Sequence, residues 1–415
     1  MRLIYLFFFT FIGCGILYPQ FNSEFLKYSD YQRHFSLYGD FELGSSCINN
    51  AFIKKIYFGG YIDSSLKRNV SDEMQSVNRF GGGVSFGANY FFGKDSSRFD
   101  WMVGIKNQEV INGSFSRDFF NTIFFGNEMY KGNTAYFNNT GLNYLRFQEL
   151  KLGFVWKNVD SVGKIGCALS LLKGQSLIQY KALDTNFLST TADATELSYN
   201  ASFVLALNDT NNVGATAFNG TGLSADFFFE APYKSKIGPS RFIVSVNNLG
   251  FIRWNKKSIV YTVDSLIKFN GVNIDNLLVL SDSALNIANQ DTLLNNLTNV
   301  SREKVNINLP MNFLLMHQTD FSKLYSLRVG IRHIFNGNSM PFYFIENRFN
   351  FKSRLLLGLM LAYGGYNRYS GGAFLEYSYR NSFSVRIGSL ALQGFFNPEK
   401  TLGQSLYLTL SKRFK

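Results

Sequence analysis

Proline, histidine and cysteine are scarce in this 415-residue chain, with 6, 3 and 3 residues. Few prolines leave long runs of backbone free to pair, because proline has no N–H and is confined to strand starts, edges and bulges. The three histidines, His34, His317 and His333, stand in no metal-ligand spacing. No hydrolase elbow of the Gly-x-Ser-x-Gly type and no paired-cysteine motif is recognised, so the residues point to no enzyme, cofactor or metal. Long apolar runs are missing too. A spanning helix needs about 20 consecutive apolar residues, and the one comparable run is at the N-terminus. Charged residues make up only 17% of the chain and the mean hydropathy is −0.05. These values exclude a helical membrane protein, yet 46% of residues are hydrophobic. A chain that hides hydrophobicity in alternation has this profile.

Aromatics are plentiful, with 44 Phe and 23 Tyr, and so is glycine, with 36 residues. The last sixty residues show how they are used. In 405–415, Leu406, Leu408, Leu410 and Phe414 share one face and Ser405, Tyr407, Thr409, Ser411 and Arg413 the other. In 353–363, Leu355, Leu357, Leu359, Leu361 and Tyr363 alternate with Arg354, Leu356, Gly358, Met360 and Ala362. Side chains on a strand alternate between faces, so each segment has one oily wall and one wall of mixed groups. Repeated along most of the chain, the pattern predicts an all-β fold: a closed antiparallel transmembrane β-barrel. Sixteen candidate strands can be counted between Gly82 and Lys415. They include Ser161–Leu172 and Ser176–Leu183 as separate segments, Ser198–Leu207, Ser258–Asp264, and a long Arg302–Met316. In the last, Pro310 marks a bulge or a strand start.

The organisation expected is a signal peptide over residues 1–20, an N-terminal plug-like or first-strand region over 21–80, and the barrel over 81–415. Met1-Arg2 followed by Leu3–Ile12 has the positive start and short apolar core of a secretory signal. Phe11-Ile12-Gly13-Cys14 also resembles a lipoprotein cleavage box. Cys47 and Cys167 remain, either bridged or as lone thiols; Cys167 alternates with Ile165 and Leu169 and so faces lipid. Two long connections stand out, at Asn107–Asn143 and Leu266–Ser301. In the second, Leu277, Leu278, Leu280, Leu285 and Ile287 suit a short helix.

The formal charge is +12 and the pI near 9.4. The basic residues are scattered on strand ends and polar faces with no basic helix, which fits anionic headgroups or solutes rather than nucleic acid. Charges on the lipid face cost roughly 2–4 kcal/mol each at mid-bilayer. Arg328, Arg332, Glu346, Arg348, Arg354, Glu376, Arg380 and Arg386 are therefore assigned to the lumen. There they either select anionic solutes or form Arg–Glu ladders that seal the barrel. Leu356, Met360 and Phe374 fall on the same inner face and suit an apolar ligand or a plugged interior.

The stretch Phe115-Ser116-Arg117-Asp118-Phe119-Phe120, with Phe124-Phe125-Gly126-Asn127 and Tyr130-Lys131-Gly132, resembles a family of Bacteroidota outer-membrane barrels of unassigned function. The ending Gly394-Phe395-Phe396-Asn397-Pro398, Thr401-Leu402-Gly403-Gln404-Ser405-Leu406 and Ser411-Lys412-Arg413-Phe414 fits the same family. That family is similar in outline to long-chain fatty-acid transporter-like barrels. The resemblance implies about 14 strands, an N-terminal plug, a place in the cell outer membrane and no catalytic residues. Related barrels serve type IX secretion and gliding machinery. Phe414 is penultimate, a departure from the terminal aromatic that the barrel insertion machinery reads. Two functions follow as expectations: transport or binding of a hydrophobic or amphipathic small molecule, or a structural, accessory role in a secretion or surface-assembly machine. The partners expected are outer-membrane lipid, the insertion machinery, and either such a ligand or secretion-machine components.

Overall fold

The structure is a computed structural model that describes residues 33–93, 97–157, 163–269, 298–352, 354–380 and 382–414. The expected signal peptide, Cys14 and the short helix at Leu277–Ile287 lie outside these residues.

Twenty strands follow one another along the chain: β1 (Arg33–Ser45), β2 (Val77–Phe92), β3 (Phe99–Ser116), β4 (Thr134–Tyr136), β5 (Gly141–Lys157), β6 (Lys164–Ala182), β7 (Phe187–Thr190), β8 (Leu197–Leu207), β9 (Gly220–Ser235), β10 (Gly238–Trp254), β11 (Ile259–Phe269), β12 (Thr298–Arg302), β13 (Asn306–Asn308), β14 (Met311–Asp320), β15 (Tyr325–Phe335), β16 (Phe342–Phe351), β17 (Leu355–Tyr363), β18 (Tyr369–Tyr379), β19 (Phe383–Ser389) and β20 (Gly403–Phe414). Fourteen wall positions close into a barrel, every neighbour antiparallel, with β20 returning to β1 from Arg33↔Phe414 to Gly44↔Gly403. Closure removes the unpaired edges that a sheet in lipid cannot leave open. The outer face is apolar: Leu169 and Leu171 on β6 are 67% and 62% exposed, while Ser170 between them is buried.

The strand count departs from the sixteen candidates for physical reasons. Residues 164–172 and 176–182, expected in two segments, lie on one strand, β6, with a bulge opposite Arg146/Phe147. Ser198–Leu207 and Ser258–Asp264 are not in the wall. β6 pairs with β9 as far as Gly174, then with β8 over Ile178–Ala182. β8 pairs with β11 and β7, β11 with β12, and β7 with β4. These strands form a side sheet that grows from the top of β6. Alternation alone cannot separate them from wall strands, because a half-buried sheet has the same period. The wall begins earlier than residue 81: β1 pairs with both β2 and β20. Arg302–Met316 divides into the end of β12, β13 and β14. β13 and β14 are one wall strand interrupted at Leu309–Pro310, where proline offers no donor. β10 carries a bulge nearby: Asn247 and Asn248 lie opposite Asp226, and Asn248 takes φ +59°.

The two ends differ. Connections 93–98, 236–237, 321–324, 352–354 and 380–382 are short and share one end with Arg33 and Phe414. Connections 46–76, 117–140, 183–219 and 255–305 are long and share the other. The expected connection at Asn107–Asn143 is shorter than read, since β3 runs on to Ser116. Helices cap this end: α1 (Asn50–Phe58), α2 (Ser64–Asp72), α3 (Arg117–Phe125) and, between β19 and β20, the single turn α4 (Gln393–Phe396). Asn49, Asp63 and Ser116 start the first three by accepting a backbone N–H at 2.9, 2.8 and 3.1 Å. The aromatic stretch 115–125 supplies the cap's own core. Phe52 of α1 is fully buried, edge-on to Phe124 at 5.1 Å and 5.7 Å from Phe120. Cys47 is buried in the same cluster.

Candidate functional site in the lumen

A large apolar belt lies in the lumen. Phe91, Met102, Val155, Phe228, Met316, Phe344, Met360, Phe374 and Tyr407 belong to it, and eleven of the fourteen wall positions contribute. Met360 and Phe374 are buried here and Leu356 packs against the belt, as their alternation predicts.

Charges flank the belt. Arg328 donates Nε–H to Gln318 Oε1 at 2.7 Å and lies 3.5 Å from Glu346. Arg348 lies 3.5 Å from Glu346, and its buried Nε has no hydrogen-bond acceptor. Arg386 donates Nε–H to Glu376 at 2.7 Å. The guanidinium groups of Arg348 and Arg386 stand 5.7 and 5.2 Å from the ring centroid of Phe374, joining the charges to the belt. Arg332, 4% exposed in its side chain, reaches Glu42 on β1 with Nη2 2.7 and 3.0 Å from the two carboxylate oxygens and stacks on Phe342 at 4.9 Å. Six of the eight assigned charges are therefore in the lumen. Arg354 and Arg380 are corrected: both sit exposed in short turns, after β16 and after β18. Arg380 has φ +48° and stacks on Tyr379, because the turn ends the alternation that placed it inside. Arg354 borders a cavity of about 150 Å³ at the short-turn end, with Asn350, Leu355, Leu356, Glu376 and Ser378.

A second charge group on the facing wall was missed as a unit. Lys106 lies 3.6 Å and Lys151 3.2 Å from Glu149, and Lys151 also pairs with Asp226. All four are buried. Two positive and two negative groups balance, as burial requires. Asp226 also accepts the backbone N–H of Asn248 at 2.8 Å and so holds the β10 bulge. Glu149 and Lys151 alternate inward in the sequence, but Asp226 and Glu42 join their partners only through register and barrel closure.

The remaining candidates do not converge. His34 stacks on Phe91 at 5.3 Å, His317 hydrogen-bonds the Tyr233 hydroxyl at 2.7 Å, and His333 stands edge-on to Phe335. Gly83-Val84-Ser85-Phe86-Gly87 does match the Gly-x-Ser-x-Gly spacing, a correction to the sequence reading. It lies in the middle of β2 rather than on a strand-to-helix turn, and Ser85 donates to Asp40. Cys47 and Cys167 are free thiols. Among the described residues no three His, Cys, Asp or Glu side chains gather around a common point.

A search among curated proteins finds no match. Some solved structures are similar at a distance. A monoaromatic hydrocarbon channel, the TodX deltaS2S3 mutant, is 11% identical with a TM-score of 0.48, with 97% of each chain covered. The Ralstonia pickettii toluene transporter TbuX is 9% identical with a TM-score of 0.45, over 93% of this chain and 90% of that one. The Pseudomonas putida toluene transporter TodX is 9% identical with a TM-score of 0.43, over the same shares. The family of unknown function DUF5723 matches residues 36–396, nearly the whole described barrel, and the chain belongs to that family.

Proposed function

We propose that this chain is an outer-membrane barrel that binds hydrophobic or amphipathic small molecules in its lumen and passes them across the membrane. The observation that carries the reading is the apolar belt inside the wall. A lumen for ions or water is lined by polar groups, whereas Phe344, Met360 and Phe374 present apolar surface inward. Arg348 and Arg386, stacked on Phe374, add positive charge at one edge of the belt. That arrangement suits a molecule with an apolar body and an anionic end. The insertion machinery and outer-membrane lipid are the partners this reading requires.

The test is equilibrium binding of radiolabelled decanoate and toluene to the barrel in lipid nanodiscs. Saturable binding of either ligand is expected, lost at least tenfold in Phe344→Asp and Met360→Glu variants that keep the folded barrel's gel mobility. Absence of saturable binding by both ligands overturns the reading.

A second reading rests on the cap. Phe58, the last residue of α1, and Tyr61, between α1 and α2, are 75% and 81% exposed, with Tyr57 beside Phe58. An aromatic tip on the long-loop end favours an accessory barrel of a secretion or surface-assembly machine. A photo-crosslinker at Phe58 in intact cells tests it, with one discrete protein adduct expected and none sinking the idea.

A further inference from the structure

Residues 364–368, between β17 and β18, cross the long-loop mouth of the barrel. They reach past β18 and β19 to β20, β1 and β2, where three strands offer a row of glycines. Gly403 of β20 pairs with Gly44 of β1, and Gly44 pairs with Gly81 of β2. A Cβ at Gly44 or Gly403 would run into the Asn367 amide, and a Cβ at Gly81 into the Tyr366 ring. The row is thus a flat seat occupied by the tip of this segment. Its own glycines allow the crossing: Gly364 and Gly365 take φ +101° and +71°, which side chains rarely adopt.

Three contacts hold the segment down. The buried Tyr366 donates its hydroxyl to Gly337 O at 2.5 Å, on the β15–β16 connection. The Gly365 carbonyl accepts from Met340 N at 3.0 Å. Arg368 donates to a Glu73 carboxylate oxygen at 2.8 Å and to the Glu73 carbonyl at 2.9 Å, at the end of α2. This last pair is exposed, with side chains 39% and 61% accessible, and so contributes little stability. One row deeper on β1, two residues from Gly44, Glu42 meets Arg332 from the opposite wall. The segment and this ion pair close the same opening one above the other.

We infer that residues 364–368 are a gate over the long-loop mouth of the lumen, seated on the Gly44–Gly81–Gly403 row and latched beneath by Arg332–Glu42. The gate pivots at Gly364 and Gly365. It opens when Tyr366 and Asn367 lift from the row, at the cost of a few hydrogen bonds and one weak exposed ion pair, while no wall ladder breaks. The inference concerns access to the lumen and stands whatever solute the lumen takes.

The test uses a thiol beneath the gate. Ser85 is buried on the lumen face of β2, four residues deeper than Gly81. Ser85→Cys is placed in a Cys47→Ser/Cys167→Ser background and reconstituted in liposomes. Labelling by a membrane-impermeant maleimide from the long-loop side is timed. Slow labelling is expected with the native gate, at least tenfold faster labelling with Tyr366→Ala, and a smaller, several-fold increase with Tyr366→Phe, which loses only the Gly337 hydrogen bond. Arg368→Ala, a change at an exposed residue that leaves the wall untouched, is expected to speed labelling several-fold and serves if Tyr366→Ala does not fold. Equal rates in the native, Arg368→Ala and folded Tyr366→Ala proteins overturn the gate, as does immediate labelling with the native segment. The maleimide reports the mouth alone, so labelling rates test the gate even in a barrel that fails to bind decanoate or toluene.

Discussion

Arg332 and Glu42 meet across the barrel, from β15 and β1, strands six neighbours apart around the wall. Removing one partner of a buried pair leaves the other charge uncompensated, at about 3–5 kcal/mol. Arg332→Ala is expected to destabilise the barrel by about that amount, and Arg332→Met with Glu42→Leu to recover most of it. Urea unfolding in detergent, read by gel mobility, checks both. A neutral Arg332→Ala would show that the pair is solvated and not a cross-brace.

Leu169 tests the outer face. It is 67% exposed on β6 within the stretch that pairs with β9. In a bilayer, Leu169→Arg is expected to cost about 2–4 kcal/mol. Leu188→Arg, on β7 of the side sheet, acts instead on the small cap cluster with Tyr130 and Phe137 and leaves wall stability unchanged. Unfolding in lipid vesicles separates the two; equal effects would place β6 out of lipid.

Asp63 gives the cap a pH dependence. The Leu66 N–H and the Ser65 hydroxyl it accepts hold its carboxyl down at about 2. The folded value lies below the unfolded one, near 3.9. Its stabilisation of α2 is therefore present above about pH 4 and lost as pH falls through about 2. Protease cleavage at Lys67 is expected to be several-fold faster in Asp63→Ala than in the parent at pH 7. With an acid-stable protease the two rates are expected to converge near pH 2. A constant ratio across the range would mean the carboxylate has no part in the cap.

Cys47 reports whether the cap is closed. Burial pushes its thiol up to about 11, against an ordinary value near 8.5. Only the thiolate reacts. At pH 8 iodoacetamide is expected to modify it at least 100-fold more slowly in the folded protein than after urea denaturation. Rates within tenfold would mean that α1, α2 and α3 do not form the shared core.

Much of the wall was legible in the sequence because lipid and lumen impose opposite demands on successive residues. Leu359 and Leu361 point out while Met360 points in, and no other fold repeats that demand so many times. Six lumen charges were placed on the same ground. What stayed hidden depends on distance in three dimensions. Nothing local marks β8 or β11 as side-sheet strands, since their period matches a wall strand; the difference is that β6 outlasts β9 as a partner. β1 stayed open between a plug and a first strand, because the two cap helices separate it from β2. Arg354 and Arg380 failed because alternation was carried past the last ladder pair. Glu42 and Arg332 are 290 residues apart, and only closure of β20 on β1 brings them together.

The length of β6 has a mechanical consequence. A tilted strand crosses a bilayer in about 9–11 residues, and β6 has 19. At about 3.3 Å per residue the surplus carries its hydrogen-bonded ladder roughly 20 Å beyond the hydrocarbon core once tilt is allowed for. There β8, β11 and β7 fasten to it. The barrel is thus taller on one flank, like a chair with a back, and the raised sheet is braced by the wall. Anything approaching the long-loop mouth from the raised flank meets this stiff parapet first, and reaches the gate from the low side.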